Sequence, residues 1–421
     1  MLTSEYKLVP AQHPRSWLAE AVWLSMLLLL LVLLVGGQGM SGSDRYFYDA
    51  IGQMTNYFMP AALAMLMAMR CGVIDLSVWM SWSAGSVVAA CILHAALSGQ
   101  GEGEVHAGYW PVLAFAASAA AGAAIGGLNA LLVRVPKFPA VAATAVTALA
   151  VWLVLQVAAP AGRIDVHPRA FDAWHVSISQ ETPQAGSQED SNTEPPPSKT
   201  ALPLAITRML FSAILFAVVM TFLMVAYSHL GHQEEKEIDF RTMPHARTAA
   251  LVSGGFISAL GGALWLLENS HATVPRLPVH DLRIPVAAVL AGGILLAGRG
   301  RTMLAAVSLP AAMLVATQWY VLGWDLNTHG MALHPLVLLA MAILASLSLR
   351  VFARRGGILA TASAACSVLA VLVLAWSAVA ETARLTDAGQ WIAVALASAG
   401  AVLLKVTAVS GMRRSTDRAT A

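Results

Sequence analysis

The stretch Ile74-Asp75-Leu76-Ser77-Val78 places a carboxylate and a hydroxyl between two long apolar runs. A charged group at membrane depth is costly, so it is usually paired, caps a helix or faces a pathway. Asp is strongly preferred at helix N-caps, so one interpretation is that Asp75 caps the helix that follows it. A second interpretation, compatible with the first, is that a broken helix at this depth lines a transport pathway.

The composition around this stretch indicates a polytopic membrane protein. Of the 421 residues, 58% are hydrophobic and 11% are charged, whereas soluble domains carry about 25% charged residues. The sequence has no Walker A loop, dinucleotide fingerprint or nucleophile elbow, and no zinc-like spacing of His and Glu. We therefore expect no enzyme activity, no metal site and no cofactor. The three cysteines, Cys71, Cys91 and Cys366, lie in or beside apolar runs and are interpreted as small packing residues.

Apolar segments recur along the whole chain, and a helical span needs about 20 such residues. The candidate segments lie near 18–36, 57–71, 76–97, 109–133, 139–161, 202–229, 248–268, 284–297, 302–323, 332–350, 357–380 and 389–411. The segments 57–71 and 284–297 are short, which is tolerated where a half-membrane helix is buried among others. The sequence thus predicts an all-α, polytopic membrane helical bundle of about 10–12 transmembrane or re-entrant helices.

The distribution of Lys and Arg among the loops predicts the orientation of the chain in the membrane. If every candidate segment crosses, most of the 25 Lys and Arg residues fall on the side of the N-terminus, which favours a cytoplasmic N-terminus and C-terminus. The loop 162–200 is then extracytoplasmic, and its Pro-, Ser- and Gln-rich tail is typical of disorder. The charged loop 231–240 is cytoplasmic and ends in the apolar residues Ile238 and Phe240, as would a short helix that lies against another surface.

Four strings of the sequence occur in an order typical of one family. They are Gly72-Val73-Ile74-Asp75-Leu76-Ser77-Val78-Trp79-Met80, Gly126-Gly127-Leu128-Asn129-Ala130, Gly231-His232-Gln233-Glu234-Glu235, and the turn from Gly292-Gly293 to Gly298-Arg299-Gly300. Together they resemble the membrane-spanning permease subunits of bacterial ABC importers for ribose and related sugars, a family that includes branched-chain amino acid permeases. The resemblance covers roughly residues 50–350.

The chain also departs from the patterns of that family. Val73, Trp79 and Met80 replace two glycines and a serine of the Gly-Gly-Ile-Asp-Leu-Ser-Val-Gly-Ser signature. Gln233 replaces the Asn of the cytoplasmic loop, and Lys236-Glu237 replaces its Ala pair. These changes indicate a divergent member, with an altered environment around Asp75 and a specialised ATPase partner.

The resemblance implies a domain organisation and a set of partners. A cytoplasmic tail (1–16) would precede the permease domain (17–350), and an additional C-terminal helical pair with a short cytoplasmic tail (351–421) would follow it. The permease would lie in the cytoplasmic membrane, among lipid, as a homodimer or a heterodimer with a second permease. ABC ATPase subunits would bind the ATP, a solute-binding protein would deliver the solute, and nucleic acid would have no part. Low charge in the spans suits a small neutral polar solute such as a sugar.

The resemblance also implies roles for individual residues. Asp75, Ser77 and Asn129 would shape the substrate pathway. The ATPase coupling loop would contain Gly231, Gln233, Glu234, Glu235, Glu237 and Phe240. Helix packing and a turn would depend on Gly292, Gly293, Gly298 and Gly300.

Two other classes of function remain open from the sequence. An ion- or proton-coupled secondary transporter would need several buried acids inside its spans, and the acids Glu20, Glu268 and Asp325 lie near span ends instead. A non-transporting membrane scaffold derived from a permease would fit the altered signature.

Overall fold

A computed structural model describes eleven stretches of the chain. These are residues 14–39, 57–70, 73–98, 110–134, 139–166, 244–269, 271–275, 282–297, 302–325, 334–379 and 386–420. The predicted span 202–229, the whole predicted coupling loop, Gly298 and Gly300 lie outside them.

The described residues are almost entirely helical, which confirms the predicted fold class. The helices are α1 (Pro14–Gly39), α2 (Met59–Arg70), α3 (Val78–Ser98), α4 (Trp110–Arg134), α5 (Ala140–Ala158), α6 (Pro244–Asn269), α7 (Arg283–Ala297), α8 (Thr302–Asp325), α9 (His334–Arg355), α10 (Ile358–Val379) and α11 (Thr386–Thr420). Two three-residue strands, β1 (Arg163–Asp165) and β2 (His271–Thr273), were not predicted.

Apolar length divides ten of these eleven helices into two groups. Seven stretches within α3, α4, α5, α6, α9, α10 and α11 are long and apolar enough to cross a membrane. The apolar parts of α1, α2 and α7 are shorter, at Leu18–Leu34, Met59–Met69 and Arg283–Gly292. The prediction that 57–71 and 284–297 form short helices is confirmed, because α2 has 12 residues and α7 has 15.

Helix α6 lies at the centre of one half of the bundle, where small residues let it approach its neighbours closely. A Cβ at Gly85 of α3 would lie 2.1 Å from the carbonyl oxygen of Ala259, and one at Gly122 of α4 would lie 2.2 Å from that of Gly255. No side chain fits these positions. The small residues of α4 and α6 therefore have the packing role that such residues often have between membrane helices.

Helix α3 begins in the interior of the bundle and not at its end. The hydroxyl of Ser258, near the middle of α6, donates a 2.7 Å hydrogen bond to the carbonyl oxygen of Val78, the first residue of α3. Asp75 and Ser77, which directly precede α3 and are not helical, are buried there, at 2% and 1% exposure. Non-helical backbone at membrane depth is tolerated where protein buries it or where it lines a cavity.

The two strands pair with each other just after the C-terminal ends of α5 and α6. They pair antiparallel, with Ile164 opposite Ala272. Nearby, the indole N–H of Trp152 and the amide of Gln156, both in α5, donate to the carbonyl oxygen of Pro275 at 2.9 and 3.2 Å. The strands therefore follow α5 and α6 and join the ends of these two helices, a long-range pairing that hydropathy alone does not indicate.

The last two helices pack along a polar seam. The hydroxyl of Ser363 in α10 donates to the carbonyl oxygen of Gly400 in α11 at 2.8 Å, and its oxygen lies 3.1 Å from the hydroxyl oxygen of Ser348 in α9. Arg355 donates to the carbonyl oxygen of Thr407 at 3.0 Å. These contacts fix α11 on α9 and α10.

One packing prediction is wrong for the residues that the structure describes. Cys91 is exposed on the outer surface of α3, whereas Cys366 is partly buried and Cys71 lies outside the described residues. An apolar run covers all faces of a membrane helix, so hydropathy does not separate the lipid-facing side from the packed side.

Candidate functional site

A buried polar cluster lies where α3 begins. Asp75, Ser77, Asn129 and Thr144 each expose 2% or less of their surface. They come from the segment before α3, from α4 and from α5, so the three residues that the sequence predicted together are indeed in contact.

Local backbone chemistry explains the position of Asp75. Its Oδ1 atom accepts the backbone N–H of Ser77 at 2.9 Å and the hydroxyl of Ser77 at 2.6 Å. An aspartate that binds the N–H two residues later forms an Asx-turn. Ser77, not Asp75, holds the N-cap position, because its carbonyl oxygen accepts the N–H of Ser81 at 2.8 Å. Asp75 therefore shapes the turn that leads into the cap, which corrects the simple capping interpretation.

Asn129 connects this turn to α4. Its Nδ2 atom donates to the hydroxyl oxygen of Ser77 at 2.6 Å and approaches Oδ1 of Asp75 at 3.5 Å. The hydrogen bonds therefore run in one direction, from the amide to the hydroxyl to the carboxylate. These hydrogen bonds connect α4 to the turn that precedes α3.

Thr144 of α5 is the member that the sequence analysis missed. Its hydroxyl donates to the carbonyl oxygen of Ile74 and accepts the N–H of Leu76, both at 3.2 Å. The sequence feature that could have identified Thr144 is a threonine near the start of an apolar span. A second threonine, Thr147, follows one turn later and is also buried. The two hydrogen bonds satisfy backbone groups on either side of Asp75.

The arrangement can fix the position of the non-helical segment around Asp75. It contains few charged groups that lack a hydrogen-bond partner. The carboxylate oxygen Oδ1 is surrounded by three donors, whereas Oδ1 of Asn129 and the hydroxyl of Thr147 are buried with no partner among the described residues. No group of three or more His, Cys, Asp or Glu side chains that could hold a metal ion occurs in the described part of the chain. The site is suited to positioning and polar contact.

A cluster of aromatic side chains includes Trp79, which follows Ser77 by two residues. It consists of Tyr57, Phe58, Trp79, Trp82 and Trp265. Trp79 stacks on Trp82 with ring centroids 4.5 Å apart and an interplanar angle of 10°. The guanidinium of Arg283, at the start of α7, lies 4.1 Å from the ring centroid of Phe58, within cation–π distance.

The other predicted site residues have simpler surroundings. Gly126 packs against α6, since a Cβ there would lie 2.1 Å from the carbonyl oxygen of Leu251. Gly292 and Gly293 lie within α7, and a Cβ at Gly292 would make ordinary contacts of 3.4 Å with Leu66 and Met69. Gly298, Gly300 and the coupling-loop residues lie outside the described residues, so their predicted roles stay predictions.

Comparison with known proteins identifies the part of the chain that carries this network. Residues 49–236 match the family described as branched-chain amino acid transport system / permease component. The match contains Asp75, Ser77, Asn129 and Thr144, together with the predicted coupling-loop residues up to Lys236. No curated protein and no solved structure matches the chain.

The family description agrees with the seven candidate spans in the described part of the chain. Its members are ABC importer permeases of the cytoplasmic membrane that need no cofactor, leave ATP hydrolysis to a separate subunit, and in general act with ATPase and solute-binding partners. Residues 49–236 are therefore similar to the branched-chain amino acid transport system / permease component family, which includes the sugar permeases of ABC importers.

Proposed function

We propose that this permease carries a small neutral polar solute, with a sugar as the first candidate, past the break between α2 and α3. The observation that carries the proposal is the buried network of Asp75, Ser77, Asn129 and Thr144 inside the part of the chain that matches the permease family. Buried polar groups at membrane depth are expensive and commonly mark a substrate pathway. Asp75, Ser77 and Asn129 would shape that pathway.

The hydrogen bonds within the network favour a neutral solute. Oδ1 of Asp75, the acceptor of the network, is already engaged by donors from Ser77 and Asn129. A cation would have to compete with these donors for Oδ1 of Asp75. A neutral solute with hydroxyl groups can exchange hydrogen bonds with the network at little electrostatic cost.

Energy would come from partner subunits. Two permease subunits, identical or different, would form the pathway, and two ATPase subunits would bind the loop that contains Gly231, Gln233, Glu234, Glu235, Glu237 and Phe240. ATP binding would close the ATPases and shift the helices between inward-open and outward-open states, because it favours one of two pre-existing arrangements. A solute-binding protein would deliver the solute from outside.

The decisive experiment is substrate-stimulated ATP hydrolysis by the complex of permease, ATPase and binding protein reconstituted in proteoliposomes. We expect a neutral monosaccharide to stimulate hydrolysis and to accumulate inside the vesicles. A panel that adds branched-chain amino acids and inorganic cations supplies the controls. Stimulation by an amino acid alone would refute the sugar assignment, and solute uptake driven by an ion gradient without ATP would refute the importer mechanism.

A further inference from the structure

The aromatic cluster has one rigid side. Trp82 is 2% exposed, and its indole N–H donates to the carbonyl oxygen of Tyr57 at 2.9 Å. Gly261 and Gly262 of α6 hold these residues closely, since a Cβ at either position would lie 2.7 Å from the carbonyl oxygen of Tyr57 or 1.9 Å from that of Trp82. Hydrogen bonds and backbone contacts therefore fix Trp82 and Tyr57.

The other side of the cluster lacks such restraints. Trp79 is only half-buried, and its ring rests on the rings of Trp82 and Phe58, at centroid distances of 4.5 and 6.0 Å. Its indole nitrogen is buried and has no acceptor among the described residues. The same holds for the indole nitrogen of Trp265, which packs against Trp82 from α6 at 5.8 Å.

Two indole donors of one cluster thus have no acceptor in the described part of the chain. A buried Trp N–H usually finds a partner, and within the described residues those of Trp23, Trp82 and Trp152 each donate to a backbone carbonyl oxygen. A buried unsatisfied donor destabilises the arrangement that contains it. With respect to the residues that the structure describes, a second arrangement in which both donors are paired would relieve this cost.

We propose that Trp79 is the moving element of an aromatic gate next to the Asp75 network. In the closed state its ring lies on Trp82 and Phe58 and joins α2 to α3. When the gate opens, the ring leaves this stack, and the N–H groups of Trp79 and Trp265 donate to acceptor oxygens of the solute. The donor role rests on the proposed transport of a neutral polar solute, whereas the closing role does not.

The closing role is tested by a leak assay on the full chain alone in proteoliposomes loaded with radiolabelled ribose. We expect the wild-type vesicles to retain ribose, and Trp79→Gly or Trp79→Ala to release it at least tenfold faster without ATP. Trp79→Phe keeps a ring on the stack and should stay tight. The matched control is Trp391→Phe, because Trp391 lies on α11 and is 74% exposed.

The donor role is tested by ATP-driven ribose uptake in the complete complex. Phe has no N–H, so Trp79→Phe and Trp265→Phe should each raise KM about three- to tenfold for one lost hydrogen bond, with kcat less affected. Trp391→Phe should leave KM unchanged.

Each outcome has a defined meaning. Tight vesicles with both Trp79→Gly and Trp79→Ala, or equal leakage with Trp391→Phe, would overturn the gate. Unchanged KM in both Phe variants would overturn the donor role. A leak that depends on Trp79 in a chain that shows no ATP-driven uptake would leave the gate standing and would count against the proposed importer function.

Discussion

The side-chain amide of Asn129 donates a 2.6 Å hydrogen bond to the hydroxyl of Ser77, although 52 residues separate them in the chain. The hydroxyl of Ser77 in turn donates a hydrogen bond to Oδ1 of Asp75, so α4 is connected to the turn at which α3 begins. Such a relay makes the contribution of each residue depend on the presence of the others.

The relay predicts non-additive effects on stability. Ser77→Ala and Asn129→Ala should each destabilise the protein, and the double variant should lose less than the sum of the two. We expect a coupling energy of about 0.6 to 1.7 kcal/mol, the range found for hydrogen bonds between membrane helices. The measurement is the free energy of unfolding in mixed micelles. Thr361→Ala, which removes an exposed bond to Gly357, is the control that should combine additively with Asn129→Ala. Strict additivity of Ser77→Ala and Asn129→Ala would contradict the relay.

Asp75 allows the role of shape to be separated from the role of charge. Asp75→Asn keeps an acceptor oxygen for the Asx-turn, whereas Asp75→Ala leaves the donors of Ser77 and Asn129 without it. We expect Asp75→Ala to lower the thermal midpoint and to reduce solute uptake at least tenfold. Asp75→Asn should lie between Asp75→Ala and the wild type, because it keeps one acceptor oxygen and replaces the other oxygen with an NH₂ donor. Wild-type stability and uptake in Asp75→Ala would show that the turn is dispensable.

Adjacent glycines in α4 provide a matched pair for helix packing. A Cβ at Gly126 would lie 2.1 Å from the carbonyl oxygen of Leu251, whereas one at Gly127 meets no atom within 4 Å. Gly126→Ala should therefore force α4 away from α6 and lower the thermal midpoint. Gly127→Ala should be neutral or stabilising, by up to about 1 kcal/mol, because Ala favours helix more than Gly does. The two midpoints in detergent test this, and a reversed order would refute the close contact of α4 with α6.

The predicted additional helical pair at 351–421 can be tested at its seam. A side chain at Gly400 would meet the hydroxyl of Ser367, whereas Ala399 is exposed. We expect Gly400→Leu to increase protease cleavage and hydrogen exchange in α11, and Ala399→Leu to change neither. Co-purification with the ATPase should survive in both variants if the pair is an addition to the permease. Its loss in Gly400→Leu alone would place the pair within the transport machinery.

The coupling loop gives a prediction that rests on the sequence. Changing Glu234, Glu235 and Glu237 together to Lys should abolish co-purification with the ATPase subunit, because it reverses the charge of the proposed docking surface. The matched control changes Glu189, Asp190 and Glu194 of the predicted outer loop to Lys, with the same reversal of charge. Unchanged co-purification of the Glu234, Glu235 and Glu237 variant would refute the assignment of the coupling loop.

Some of the site could be predicted from the sequence and some could not. Asp75, Ser77 and Asn129 were identified because a carboxylate, a hydroxyl and an amide stand out in apolar surroundings. Thr144 was missed because a threonine is common in membrane helices, and its role depends on facing the backbone of Ile74 and Leu76. One interpretation of the sequence placed the N-cap at Asp75, and the structure places it at Ser77; both residue types favour that position, and only the hydrogen bond from Ser81 distinguishes them.

The sequence by itself determined the membrane-embedded helical class, the short lengths of α2 and α7, and the polar string between α2 and α3. These properties follow from local hydropathy and local residue preference, which act along the chain. Only the tertiary structure decided that α3 begins beside the middle of α6, that Asn129 and Thr144 meet the segment around Asp75, and that Trp79, Trp82 and Trp265 share one cluster. Such contacts depend on which faces of two helices can approach each other closely. The positions of glycines on neighbouring helices determine this, and the hydropathy of a single segment does not.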